Sequence, residues 1–148
     1  MIEINDNNLV VDGKQMPIEK INIIKLIKNK LYLSNNIVEI SPKSYKLDEV
    51  VAALQEAGLT NFVKIENAIV NAGNVESMYI KYYQYAGISI FQCEKYNADM
   101  CNLVICCKNG KEETISFSSS KEAEKNYHIL DSVVTEIKNK QVFEKLAD

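Results

Sequence analysis

The segment from Asn102 to Ile137 constrains the fold of this chain more than any other part of the sequence. An apolar run that ends at Cys107 and a β-type segment over Glu112–Phe117 flank the dipeptide Asn109-Gly110. Asn and Gly tolerate the backbone conformations that tight turns need, so this pattern predicts a β-hairpin. An amphipathic helix follows the hairpin and gives the segment a strand-strand-helix order.

This helix is predicted from apolar residues spaced three and four apart, which places them on one face. The stripe consists of Ala123, Tyr127, Leu130, Val134 and Ile137. Ser119 and Glu122 form a capping-box pattern, in which the hydroxyl accepts from the N3 amide and the carboxylate accepts from the serine N–H. Polar residues at 138–141 are expected to weaken the helix, so that 142–146 fray or pack separately.

Two hairpins are predicted in the first forty residues. Apolar residues alternate with polar ones around an Asn/Asp turn in segment 2–13, which Asp12-Gly13 closes. Segment 31–40 has the same alternation around Asn35-Asn36. Period-2 spacing bounded by turn-forming residues is typical of antiparallel strands.

A first helix is predicted after Pro42. Asp48 and Glu49 lie near its start, where the helix dipole favours negative charge, and Gly58 supplies a C-terminal stop. Its apolar face consists of Leu47, Val50, Val51, Leu54 and Ala57.

Segment 17–28 fits two structures. Isoleucine recurs every third residue from Ile18 to Ile27, and Pro17 suits the first position of a helix. The same residues also fit a strand with a bulge, and the density of β-branched side chains favours the strand.

A second series of strands is predicted between the two helices. The expected segments are 62–65 and 68–70, with a turn at 71–73, followed by strands at 75–85 and 88–92 and a loop near 96–99. The order strands, helix, strands, helix predicts an α+β fold, in which antiparallel β-meanders carry two helices packed on sheet faces.

The chain is expected to comprise an N-terminal strand-helix module over 1–60 and a C-terminal meander-plus-helix module over 61–148. No Pro/Gly/Ser-rich linker separates the two modules, so we expect them to pack as one globular unit. The openings at 2–13 and 63–73 align with a two-residue gap, which suggests a pseudo-repeat. The alternative is a chance similarity between hairpins. It is favoured, because the alignment covers only about fifteen positions in each half.

Composition disfavours several classes of function. The net charge is −3 and every basic residue is lysine, so the arginine fork that reads guanine or phosphate is missing. Nucleic-acid binding is therefore disfavoured. The first residues lack a charged region followed by an apolar one, and no apolar run approaches 18 residues, which predicts a cytoplasmic protein with no membrane partner. Abundant Lys, Asn and Ile suggest a bacterial or phage source.

Four cysteines and one histidine are the candidates for metal or nucleophilic chemistry. Gaps of seven, four and zero residues separate Cys93, Cys101, Cys106 and Cys107, whereas structural zinc sites usually need C-x2–4-C pairs, and adjacent strand residues face opposite sides. His128 lies beside the core stripe of the last helix and is expected on the surface. Glu112-Glu113 is expected to be solvated. No phosphate-binding glycine loop occurs, so we predict no metal, no cofactor and no catalytic residue.

The tyrosine-rich segment 79–85 is the best candidate for a binding surface. In a strand, Tyr79, Lys81, Tyr83 and Tyr85 project to one side, while Ile80 on the other side indicates the core. Tyrosine is enriched in protein interfaces. The alternative is that these rings only stabilise a sheet face through cross-strand contacts.

Segment Phe62–Ile137 resembles the short bacterial modules with pleckstrin-homology-like topology. The matching residues are Val63-Lys-Ile-Glu-Asn67, Asn109-Gly110 and Ser119-Ser-Lys-Glu-Ala123. The resemblance implies an adaptor or binding scaffold, because that fold hosts peptides, proteins or lipids. It covers about half of the chain and its motifs are structural, so it is fold-level analogy.

Together these features predict a non-catalytic protein–protein interaction module of adaptor, immunity or anti-defence type. Its partner is expected to be another protein or a second copy of itself. One alternative is a small enzyme that uses His128 with a cysteine. The other is a single-stranded RNA binder, which would need a basic face at Lys25, Lys28 and Lys30.

Overall fold

The computed structural model describes residues 2–27, 30–34, 36–39, 46–83 and 100–147. For residues 36–39, 83 and 147 the description is limited to the backbone. Within these ranges the chain has an α+β fold built from three antiparallel sheets and two α-helices, so the predicted fold class is confirmed. Whether the two halves form a pseudo-repeat stays a prediction.

Among the residues described, the first half contains six strands before its helix. They are β1 (Ile2–Asn5), β2 (Asn8–Val11), β3 (Lys14–Pro17), β4 (Ile23–Ile27), β5 (Lys30–Leu33) and β6 (Asn36–Glu39), followed by helix α1 (Leu47–Glu56). Both predicted hairpins are present, as β1-β2 and β5-β6. The turn at Asp12-Gly13 leads into β3, which was not predicted, because residues 14–17 include only two apolar side chains.

Positive backbone φ angles explain the tight turns of the first sheet. Asp6 and Asn7 have φ of 49° and 64°, and Asp12 and Gly13 have φ of 48° and 84°. Two consecutive positive angles match the right-handed twist of hairpin strands, and Asn, Asp and Gly adopt them with little strain.

The second half has five strands before its helix among the described residues. They are β7 (Phe62–Ile65), β8 (Ala68–Asn71), β9 (Val75–Tyr83), β10 (Met100–Cys107) and β11 (Glu112–Phe117), followed by helix α2 (Ser120–Ala147). The predicted hairpin at 102–117 is confirmed as β10-β11. The strand predicted at 88–92 and the loop near 96–99 lie outside the described residues.

A five-stranded sheet of order β6-β5-β4-β8-β7 joins the two halves, because β4 pairs with β8. Both faces of this sheet are covered. Ile24 and Ile69 face a core that includes α1, whereas Ile23 and Val70 face a second core that includes α2 and β9–β11. A strand buried on both faces carries consecutive apolar residues rather than an alternating pattern.

Burial on both faces resolves the ambiguous segment 17–28. Residues 18–20 form a short 3-10 helix, and the strand β4 begins at Ile23. The strand interpretation is therefore correct for 23–27. Ile18, Ile21 and Ile24 share the core that includes α1, although only Ile24 belongs to β4, and Ile27 is 49 % exposed, so their three-residue spacing does not reflect a helix.

Helix α1 lies where it was predicted. Leu47, Val50 and Leu54 are buried. The Gly58 N–H donates to the Gln55 carbonyl at 2.9 Å, and Gly58 adopts a φ of 83°, so glycine ends the helix in the left-handed conformation.

Helix α2 is longer than predicted. The Ser119 hydroxyl accepts from the Glu122 N–H at 3.2 Å, as the capping pattern predicted. The helix then continues without interruption to Ala147, so the predicted weakening at 138–141 is wrong. Lysine and glutamine are good helix formers, and polarity along 138–141 marks an exposed helix surface rather than a helix end.

A network of asparagine side chains crosses from the first half to the second beside the β4–β8 pairing. Asn22 is 2 % exposed, and its Nδ2 donates to Asn109 Oδ1 at 3.3 Å. Asn74 Nδ2 donates to Asn22 Oδ1 at 3.1 Å and to the Glu19 carbonyl at 2.9 Å. Asn71 Nδ2 donates to the Ile21 carbonyl at 3.1 Å. Buried amides are stabilising only when paired, as these are.

Replacing Asn22 with alanine is expected to lower the free energy of unfolding by about 2 kcal/mol, because the amides of Asn74 and Asn109 lose a buried partner. Urea denaturation followed by circular dichroism measures the change. Asn139→Ala on exposed α2 is the matched control and should change stability by less than about 0.5 kcal/mol. Equal effects of the two substitutions would contradict a stabilising role for the network.

Candidate protein-binding surface

Strand β9 is an edge strand in the part of the chain that the structure describes, because it pairs with β10 alone. Side chains alternate along it as predicted. Tyr79, in the middle of the strand, is 48 % exposed, and Lys81 is exposed on the same side. We call this the β9 surface; it consists of the exposed side chains of Ser77, Tyr79 and Lys81.

The opposite side of β9 faces the core, as Ile80 indicated. Met78, Ile80 and Tyr82 are partly buried against the cluster that includes α2. The Tyr82 hydroxyl donates to Glu124 Oε1 at 3.2 Å, which ties the strand to the helix. β9 is therefore held by its inner side chains, so its outer side chains are not needed to fill this core.

Two of the four predicted site residues have described side chains, Tyr79 and Lys81. Tyr83 is the last residue of β9, and only its backbone is described. Tyr85 lies outside the described residues. The structure thus brings Tyr79 and Lys81 together on one side of β9 and gives no description of the other two rings.

The neighbours of Tyr79 on the outer side of the sheet were not predicted. Val104 lies opposite Tyr79 on β10, and Asn102 lies opposite Lys81. Met100 is 38 % exposed at the start of β10. The outer side beside Tyr79 therefore combines a buried valine with a partly exposed amide. Identifying it requires the strand register, which sequence alone did not supply.

The cysteines and His128 do not form a catalytic arrangement among the described residues. Cys101 and Cys107 are buried on the inner side of β10, whereas His128 is exposed on α2. Burial, together with the negative charges of Glu113 and Cys106, raises the pKa of the Cys107 thiol to about 11. A thiol with this pKa is almost entirely protonated at neutral pH and is a poor nucleophile. Cys93 lies outside the described residues.

Lys25 and Glu113 form a half-buried charged pair between β4 and β11. The Lys25 ammonium donates to the Thr114 carbonyl. Burial lowers the pKa of Lys25, and the negative charge of Glu113 opposes this shift. Burial raises the pKa of Glu113, and the positive charges of Lys25 and Lys111 oppose this second shift. The expectation that Glu113 is solvated is wrong, because its alternating position on β11 turns it toward the central sheet.

The described surface has shallow clefts. One of about 380 Å³ lies between the β1–β2 turn and the loop after α1. No group of three or more His, Cys, Asp or Glu residues in the described ranges is arranged to hold a metal ion. Of the helices described, neither is long and apolar enough to cross a membrane.

Comparison of the chain with protein-family models, with curated proteins and with solved structures finds no match. The resemblance of Phe62–Ile137 to modules with pleckstrin-homology-like topology therefore stays a prediction.

The raised pKa of Glu113 predicts that its carboxyl stabilises the fold more at acid pH. A carboxyl whose folded-state pKa exceeds its ordinary value of 4.5 binds a proton more readily in the folded state. Its contribution is complete below 4.5 and is lost as pH rises through the folded-state pKa. The wild type should therefore gain stability relative to Glu113→Gln as pH falls from 7 toward 4.5.

Urea denaturation of both proteins over this pH range measures the difference. Glu112→Gln, an exposed neighbour on β11, controls for the change in net charge. A difference that stays constant, or that falls with falling pH, would contradict the assigned effect of burial on Glu113.

The raised pKa of Cys107 predicts slow alkylation in the folded protein. At pH 7 its thiolate population is about a hundredfold below that of a thiol with the ordinary pKa of 9.0. Iodoacetamide should therefore modify Cys107 at least about a hundredfold more slowly than in the chain unfolded in guanidinium. Peptide mass spectrometry measures both rates. Similar rates would contradict the raised pKa of Cys107.

Proposed function

We propose that this protein is a non-catalytic protein–protein interaction module of bacterial or phage origin, acting as an adaptor, an immunity protein or an anti-defence protein. The observation that carries the proposal is the exposed ring of Tyr79 at the centre of an edge strand. The contact surface proposed is the β9 surface, extended by Tyr83 and Tyr85.

The physical chemistry of an edge strand supports binding of a protein. Among the described residues β9 pairs with β10 alone, and a strand at the edge of a sheet can add an incoming strand through backbone hydrogen bonds. A tyrosine beside such an edge adds apolar contact area and a polar tip at a low cost in side-chain entropy. Backbone pairing supplies affinity, and the side chains of the β9 surface supply specificity.

The other two functions considered have less support. An enzyme would need a thiolate beside His128. The described cysteines all lie on β10, whereas His128 is exposed on α2. An RNA platform would need Lys25 in solvent, but its ammonium donates to the Thr114 carbonyl instead. Lys28 lies outside the described residues. No observation favours either function over protein binding.

Replacing Tyr79 with alanine is expected to weaken partner binding about thirtyfold. Truncating a central interface tyrosine costs on the order of 2 kcal/mol, and 1.4 kcal/mol is tenfold in affinity. Pull-down from a lysate of the source organism, with mass spectrometry of the captured proteins, identifies the partner. Titration of purified partner then measures the loss.

Ile27→Ala is the matched control, since Ile27 is 49 % exposed but lies at the end of β4. It should leave binding unchanged, and thermal unfolding of both variants should stay close to that of the wild type. If Tyr79→Ala lowers thermal stability strongly and leaves binding unchanged, the ring stabilises the sheet and the proposed function is wrong.

A further inference from the structure

The dipeptide Asn109-Gly110, in the turn between β10 and β11, carries a chemical reactivity of its own. Of the asparagines in this chain, only Asn109 precedes a glycine. The backbone nitrogen of the residue after an asparagine can attack the side-chain carbonyl carbon, and glycine has no Cβ that would hinder the attack. Asn109 and Gly110 are both exposed, so water reaches the pair.

The reaction is a deamidation that consumes only water. The Gly110 nitrogen loses its proton and forms a bond to Asn109 Cγ, the bond from Cγ to Nδ2 breaks, and the amide nitrogen leaves as ammonia. The product is a five-membered succinimide ring. Water then opens the ring at either of its carbonyls, which gives aspartate or isoaspartate. In isoaspartate the main chain runs through the former side chain and is one methylene longer.

The native turn holds the two reacting atoms apart. The Gly110 N–H donates to the Cys107 carbonyl at 2.9 Å, and Lys108 and Asn109 have negative φ angles, which defines a type I turn. In such a turn the ψ angle of the third residue, here Asn109, is about 0°. The Gly110 nitrogen is then rotated by about 120° away from Asn109 Cβ around the Cα–C bond. The succinimide ring requires both atoms on the same side of this bond.

Hydrogen bonds to Asn109 Oδ1 oppose the rotation that the reaction needs. The Lys111 N–H donates to this oxygen at 3.1 Å, and Asn22 Nδ2 donates to it at 3.3 Å. Rotation around the Cα–C bond of Asn109 moves Gly110 and Lys111 relative to the side chain. It therefore breaks the bond from Lys111 and the bond between Gly110 and Cys107. Attack on Cγ requires the turn to open.

We propose that Asn109 is a site of spontaneous deamidation that the junction of the two halves protects, and that opening of this junction exposes it to reaction. The hydrogen bond from Asn22 in the first half to Asn109 in the second carries the proposal, because it couples the turn to the junction. The Lys108 N–H also donates to the Asn74 carbonyl at 2.8 Å, which fastens the turn to the segment before β9. The proposal is independent of the proposed function.

The two products of the reaction differ in their effect on the junction. Aspartate at position 109 keeps an oxygen in the place of Oδ1, so Asn22 Nδ2 and the Lys111 N–H retain their acceptor. Isoaspartate lengthens the main chain inside a turn that two backbone hydrogen bonds close, Gly110 to Cys107 at 2.9 Å and Cys107 to Lys111 at 2.8 Å. The longer turn cannot form both bonds, and Asn22 loses its partner. Formation of isoaspartate thereby makes a transient opening permanent.

Rates of deamidation at Asn109 test the proposal. Peptide mass spectrometry, with isoaspartate labelled by protein isoaspartate methyltransferase, measures them in protein incubated at neutral pH. The folded wild type should react at least about tenfold more slowly than the chain unfolded in urea, because several hydrogen bonds must break first. Asn22→Ala should raise the rate in the folded protein about fivefold, since it removes one of the two donors to Oδ1.

Val50→Ala is the control for a general loss of stability. Val50 is fully buried in the core that includes α1, on the other face of the central sheet. This variant should leave the rate in the folded protein unchanged. Circular dichroism shows whether each variant is folded. If Asn22→Ala is unfolded, Asn22→Ser replaces it, because the serine hydroxyl is too short to reach Asn109.

Equal rates in the folded and unfolded wild type, or equal effects of Asn22→Ala and Val50→Ala, would overturn the proposal. Absence of deamidation at Asn109 in the unfolded chain would overturn it as well. Asn109→Asp should unfold at the same urea concentration as the wild type, whereas the isoaspartate fraction of aged protein should unfold at a lower one. The reverse order would contradict the effect assigned to isoaspartate.

Discussion

The antiparallel pairing of β4 with β8 is the interaction on which the rest of this structure depends. It joins strands from the two halves into one five-stranded sheet and gives each half a core on a different face. Ile23 and Val70 enter one core, and Ile24 and Ile69 enter the other. Each helix covers one face, so neither core is closed without the shared sheet. Loss of this pairing would expose apolar surface on both sides.

Polar side chains add directional contacts to the apolar packing at this junction. The amides of Asn22, Asn71 and Asn74 hydrogen bond to one another or to backbone carbonyls beside the pairing, and these bonds are directional. Lys25 and Glu113 place a charged pair between the central sheet and β11. A change of register would leave these buried amides unpaired, which is costly. The network thereby favours one register.

The β4–β8 pairing packs against the inner side of the C-terminal meander. A partner could therefore contact only the outer side of this meander. Helix α2 covers the inner side chains of β9, so Ile80 and Tyr82 stabilise the fold and Tyr79 and Lys81 do not have to. Under the proposed function, stability and binding thus depend on opposite sides of one strand.

Local patterns in the sequence determined the elements that are covered on one face only. The Asn109-Gly110 hairpin, helix α1, the start of α2 and the alternation of Tyr79 with Ile80 could all be predicted, because half-buried elements have a clear period. Tertiary structure alone decided the rest. The strand β4 shows no simple period because both of its faces are buried, and the positions of Glu113, Asn22 and Val104 beside their partners depend on strand register. Strand register depends on contacts between residues that are far apart in the chain, so local conformational preferences cannot specify it.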